Sequence, residues 1–221
     1  MQKLIRTTIL TGYVLLSTGC AVHVHANDGA RMGDLDTVFG GIDVGKNAKV
    51  GDVSSVNGGI DIDSGASAGE VDTVNGGIEL GDNVTIESAE TVNGGINAGE
   101  SLKVKYDVET VNGGIYLRAK TVVEGNVETV NGDIQLVNTL INKNVETVNG
   151  DITLRNQTTL KGDLVIEKSG GWFSSMSQDE ITIKIDATSS VEGTIHLHRP
   201  VTLEIAEQAK VGKIEKHYSQ K

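Results

Sequence analysis

The chain has 221 residues, enough for one domain with a sizeable core, yet it carries 28 glycines, one proline and only 3% aromatic residues. Its core must therefore be built from Val, Ile, Leu and Ala. The formal charge is −11, and setting aside the first 26 residues with Lys3 and Arg6 leaves 30 acidic against 17 basic residues, or −13. Such a surface repels phosphate backbones and anionic headgroups, which argues against nucleic acid as a partner.

The first element is a targeting signal: Lys3 and Arg6, followed by an apolar run from Thr7 to Gly19 that is too short to span a membrane as a mature helix. Two processing readings stand side by side. Cys20 closes the run Leu16-Ser17-Thr18-Gly19-Cys20, which resembles a bacterial lipobox whose cysteine takes a lipid and becomes the new N-terminus, although Ser17 stands where such boxes usually carry Leu. Alternatively, Val24-His25-Ala26 offers a small-x-small cleavage site, giving a signal over 1–26 rather than 1–19. Either way the expected location is the periplasm, the outer membrane through a lipid anchor, or the cell surface, with membrane contact only through that anchor. A single cysteine leaves no disulfide framework, and its place beside the signal argues against a catalytic thiol.

From residue 27 to 168 the chain repeats. The motif reads VFGGI at Val38, VNGGI at Val56, Val74, Val92 and Val111, and VNGDI at Val130 and Val148, at spacings of 18 or 19 residues. Inside each repeat runs a beat of six, as in Val74, Leu80 and Ile86 or Val111, Leu117 and Val123. Three apolar marks per repeat predict a three-sided coil of short strands, and the recurring Gly-Gly excludes helix at about 1 kcal/mol per glycine. The fold expected is all-β, a single-stranded parallel β-helix of about 18 residues per coil. Asn-Gly and Asn-Gly-Asp are read as corners supplying positive φ.

Stacking puts like on like. The expected interior columns are the motif valines Val38 to Val148, the isoleucines Ile42, Ile60, Ile78, Ile96, Ile115, Ile134 and Ile152, and the column Val44, Ile62, Leu80, Ala98, Leu117, Leu136 and Leu154. Asn57, Asn75, Asn93, Asn112, Asn131 and Asn149 are expected to form an amide ladder at one corner. One coil cannot fold alone, since its few buried aliphatics do not offset the ordering of 18 residues; stability must come from stacking.

After Lys168 comes a Gly/Ser-rich excursion over 169–179 holding Trp172 and Phe173, read either as a contact tip for a partner or as a flap over an open side. Further coils are expected over 180–214, with Ile183 and Val201 in phase, then a polar tail over 215–221 as part of a basic end that caps the stack.

The Thr-Val-Asn-Gly-Asp-Ile of Thr147 to Ile152 resembles the hallmark of a bacterial adhesin-type β-strand-repeat family. Lys161-Gly-Asp-Leu-Val-Ile166 and Val191-Glu-Gly-Thr-Ile195 resemble the related bactofilin-like, polymer-forming proteins. Over residues 36 to 214 the resemblance implies a right-handed β-solenoid without cofactor, capable in some members of end-to-end polymerisation with itself. Bactofilins are cytoplasmic and this chain carries an export signal, which favours a cell-envelope role.

Other chemistry has weaker support. The column Thr37, Ser55, Thr73, Thr91, Thr110, Thr129 and Thr147 is similar to the hydroxyl arrays of ice-binding solenoids, against the simpler reading that Thr favours strands. Asp36, Asp72, Glu90, Glu109, Glu128 and Glu146 form an acidic column with oxygens that suit Ca²⁺, but the calcium-binding nonapeptide is not matched, so a solvated acidic face is expected. His196-Leu-His198 puts two imidazoles on one strand face, half a metal site with no third donor nearby in sequence, so no metal is expected. His23 and His25 are expected to lie in or beside the cleaved segment. No nucleophile elbow, HExxH or phosphate loop is present, so no catalytic residue is assigned. The expected function is a non-catalytic structural or adhesin-like envelope solenoid binding an envelope or surface component. The alternatives are a self-polymerising scaffold and a carbohydrate-binding or carbohydrate-active module.

Overall fold

The computed structural model describes residues 23–168 and 180–219. Cys20, Trp172 and Phe173 lie outside these residues. The described chain is an all-β solenoid of parallel strands, about 18 residues to a coil and ten coils long. Three sheets form its faces. The first face stacks ten strands from Val24–Ala26 through Ile42–Val44 and Ile115–Leu117 to Thr202–Ile205. The second stacks seven short strands from Thr85–Ile86 to Lys210–Val211, extended toward the N-terminus by single bridges Arg31↔Lys49↔Ser67↔Thr85. The third stacks ten strands from Leu35–Phe39 to Ile214–Lys216. At about 4.8 Å between neighbours the rod is about 45 Å long.

The first face follows the pattern seen in the sequence. Ile42, Ile60, Ile78, Ile96, Ile115, Ile134 and Ile152 are buried, as are Val44, Ile62, Leu80, Ala98, Leu117, Leu136 and Leu154. Each short strand there puts two side chains inward and one outward.

On the third face the expectation is reversed. The motif valines Val38 to Val148 point outward and are half-buried, while Ser55, Thr73, Thr91, Thr110, Thr129 and Thr147 point inward and are buried. The third-face core column is Leu35, Val53, Val71, Ala89, Val108, Val127, Val145, Leu164 and Ile195. Strand alternation explains the reversal, since the carboxylate two positions before every motif valine but Val56 shares its face and must stay at the surface. Five of these six hydroxyls find a partner inside, among them Thr73, which donates to Gly58 O at 2.8 Å, Thr91 to Gly76 O at 2.9 Å and Thr110 to Gly94 O at 2.9 Å, whereas Thr147 Oγ1 has none among the described residues. A buried hydroxyl so paired escapes its desolvation cost. The ice-binding reading fails on the same fact, because the hydroxyls face the interior.

The three corners use different chemistry. At the Asn-Gly corner between third and first faces, a Cβ on Gly94 would sit 1.9 Å from Gly76 O, and one on Gly113 equally close to Gly94 O. Close stacking of coils therefore demands the first glycine of each pair, and at Gly40, Gly132 and Gly150 a positive φ demands it as well. The second is replaced by Asp133 and Asp151, whose carboxylates accept from Asp151 N at 2.9 Å and Thr182 N at 2.8 Å. Positive φ at non-glycine residues falls at the corner between first and second faces, at Asn47, Asn83, Ser101, Lys120, Asn138 and Asn156. At the corner between second and third faces, side chains accept from the next coil's backbone: Asp107 from Asn126 N, Asn126 from Asn144 N, Asn144 from Asp163 N and Asp163 from Thr194 N.

The boundaries shift at both ends. Val24–Ala26, read as the close of a cleavage site, pairs with Ile42–Val44 and buries Ala26, so the solenoid begins before residue 27. Glu215 and Lys216, assigned to a polar tail, belong to the strand Ile214–Lys216 paired with Ile195–Leu197, so this segment is a coil rather than a cap. After residue 179 the stack resumes with Ile152↔Ile183, and Ile183 aligns with Leu203 rather than Val201.

Candidate functional site

The third face is the broadest and most regular surface. Its five-residue strands present two outward positions per coil instead of one. The first outward row is Asp36, Ser54, Asp72, Glu90, Glu109, Glu128 and Glu146; the second is the valine row Val38 to Val148. Along the edge of this face runs the amide ladder. Asn75 donates to Asn57, Asn93 to Asn75, Asn112 to Asn93 and Asn131 to Asn112 at 3.0 Å, and Asn149 to Asn131 at 2.9 Å. Each amide both donates and accepts, so the hydrogen bonds polarise one another along the rod. Arg199 Nη1 closes the C-terminal end, donating to Asn149 Oδ1 at 2.8 Å.

The acidic row is not the freely solvated face expected. Asp36 is exposed, but Asp72, Glu90, Glu109, Glu128 and Glu146 are half-buried between neighbouring rows. Burial first, and then the charges of Glu90, Glu70 and Asp52, push the Asp72 carboxyl up to about 7. Burial and the charges of Glu128, Glu90, Asp107 and Glu146 push Glu109 up to about 7 as well. Glu90 is raised by burial together with Glu70 and Asp107. Burial and like charge at strand spacing thus place Asp72 and Glu109 where they change charge near neutral pH.

Toward the C-terminus both rows change chemistry. The register Glu146↔Val165↔His196↔Glu215 carries the acidic row onward. His198 and His217 follow in the valine row, with His217 N donating to Leu197 O at 2.8 Å. His196 Nδ1 lies 3.0 Å from His217 Nε2 and 3.5 Å from Glu215 Oε2, and His217 Nε2 lies 3.7 Å from that oxygen. The His198 ring stacks on His217 with centroids 4.5 Å apart. The sequence reading sought a third donor along the strand of His196 and His198, whereas Glu215 and His217 come from the neighbouring coil. The signal was available: each stands 19 residues after its partner, one coil length of this very repeat.

At the other end His23 Nε2 meets Asp43 Oδ2 at 2.5 Å, so His23 sits on the first face of the described solenoid. Residues 169–179, with Trp172 and Phe173, lie outside the described residues; after them Ile181 is buried beside the Asn-Gly corner. Comparison with known proteins adds no relative: no family model, no curated protein and no solved structure matches this chain.

Proposed function

We propose that this chain is a non-catalytic structural or adhesin-like solenoid of the bacterial cell envelope, and that its third face is the contact surface. The observation carrying the reading is the pair of outward rows kept in register over seven successive coils, with valine in all seven and a carboxylate in six. A rigid, periodic, semi-apolar strip gains contact energy coil by coil against an extended partner, whereas its equivalent carboxylates offer no single point of convergence for catalysis. Valines sheltered beside carboxylates suit an envelope component with apolar and cationic character, or an anionic one bridged by divalent ions. The resemblance to adhesin-type repeats supports the same assignment. Export follows from the basic and apolar N-terminal segment. Lipid attachment at Cys20 is the processing that keeps Val24–Ala26 in the first sheet, whereas cleavage after Ala26 removes that strand.

Co-sedimentation of the processed protein with isolated bacterial envelopes tests the reading. Saturable pelleting with envelopes is the expected result, and protein that stays in the supernatant at every concentration overturns it.

A second reading, a bactofilin-like self-polymerising scaffold, draws on the C-terminal coil. Val201, Leu203, Ile205 and Val211 are only partly buried there and Ile214 is 37% exposed, since no strand covers them among the described residues. Sedimentation velocity with negative-stain imaging separates the two: filaments favour the scaffold, and short single rods remove it.

A further inference from the structure

The geometry points to a transition-metal site on the last two coils, with His196 Nδ1, His217 Nε2 and Glu215 Oε2 as ligands for a divalent ion of the Zn²⁺ class. Three observations carry it. The three donor atoms are separated by 3.0, 3.5 and 3.7 Å. An ion at about 2.0–2.2 Å from each donor requires separations of roughly 3.3 Å in a tetrahedral arrangement, so the donors already stand where such an ion would hold them. The set, two imidazoles and one carboxylate, suits Zn²⁺ and its neighbours in the first transition row; Ca²⁺ and Mg²⁺ prefer oxygen alone.

The second observation is the surroundings of the donors. Asp163 Oδ2 lies 3.8 Å from His196 Nε2, on the far side of the ring from the donor nitrogen. Its other oxygen is fixed by accepting from Thr194 N at 2.7 Å. At that distance the carboxylate is a charged neighbour of the imidazole rather than a hydrogen-bond acceptor, and its charge favours a cation at the site. Lys213 Nζ holds Glu215 Oε1 at 2.6 Å, which orients the carboxylate and leaves Oε2 turned toward the imidazoles. The His198 ring, stacked on His217, fixes that ring's plane.

The third observation is where the site falls. His196 belongs to the strand Ile195–Leu197, and Glu215 and His217 to the coil stacked on it, the coil whose interior residues are least covered. An ion bound there fastens the end coil to its neighbour, and its binding free energy becomes folding free energy for the weakest part of the rod. Three protein ligands leave the fourth position to water or to a donor from a partner.

Isothermal titration of ZnCl₂ into the full processed protein, stripped with a chelator, tests the site. One Zn²⁺ per chain is expected, with a higher Tm on loading and no competition from Ca²⁺ or Mg²⁺. Loss of an outer partner typically weakens metal binding about 10- to 100-fold, so His196→Ala with His217→Ala, which removes two ligands, should weaken it by more than that. His23→Ala with His25→Ala should leave binding unchanged, since those residues sit at the opposite end. In the unmodified protein, Zn²⁺ should shift the imidazole resonances of His196 and His217, a readout that needs no folded variant. Absence of Zn²⁺ binding, unchanged affinity in the His196/His217 variant, or resonance shifts confined to His23 and His25 would overturn the proposal.

Discussion

The repeating coils and the last two coils use one register to opposite ends on the third face. From Asp36 to Glu146 and from Val38 to Val148, each side chain meets its own kind above and below, apart from Ser54 in the acidic row. Where burial adds to the like charge, at Asp72, Glu90 and Glu109, the carboxylates resist ionisation, and like valines make a continuous apolar strip. In the last two coils the same positions hold His196 over Glu215 and His198 beside His217, so unlike groups converge as a donor set. A solenoid therefore turns a sequence period into a spatial column. Where the period is strict it makes uniform surfaces, and where it lapses it makes local sites.

The repeating stack should break most sharply at Gly94→Ala. The added Cβ meets the Gly76 carbonyl at 1.9 Å, backbone against backbone, so a loss of more than about 3 kcal/mol is expected in denaturant titration. Gly77→Asp, at the neighbouring position that other coils fill with aspartate, should cost far less.

The reversal of threonine and valine gives the next contrast. Thr110→Val removes the bond to Gly94 O and should cost about 1 kcal/mol. Val111→Thr, on the outside, should stay within about 0.5 kcal/mol. A larger cost for Val111→Thr than for Thr110→Val would place the valine inside after all.

The acidic row gives a pH signature of comparable or smaller size. The folded chain holds protons on Asp72 and Glu109 up to about 7, while the unfolded chain releases them near the ordinary 3.8 and 4.5. Between those limits the folded state binds more protons, so stability falls as pH rises through the window and is recovered below it. Tm should therefore be higher at pH 5 than at pH 8. Glu109→Gln should gain up to about 1 kcal/mol at pH 8 and little at pH 5.

Much of this was legible in the sequence. The 18-residue period fixed the coil, the isoleucine column and the asparagine ladder, because stacking makes neighbours of residues one period apart. Two features were misread. Valine and threonine have nearly the same shape, so apolarity alone placed Val111 inside; the glutamate two positions earlier, which must face out, held the answer. The His196 cluster was missed because its donors are neighbours across strands, and a search along the chain passes over Glu215 and His217. The glycine corner was recognised for part of its cause: φ is positive at Gly40, Gly132 and Gly150, while contact between coils depends on their stacking distance, which local turn preference does not show.

The contact role of the third face is tested most directly by comparing two triple variants in envelope co-sedimentation. Val74→Ser, Val92→Ser and Val111→Ser alter only outward positions of the third face, while Glu79→Ser, Asn97→Ser and Tyr116→Ser alter the outward row of the first. The account predicts that the third-face variant loses envelope binding and the first-face variant keeps it. Equal binding by both, or loss only in the first-face variant, would contradict it.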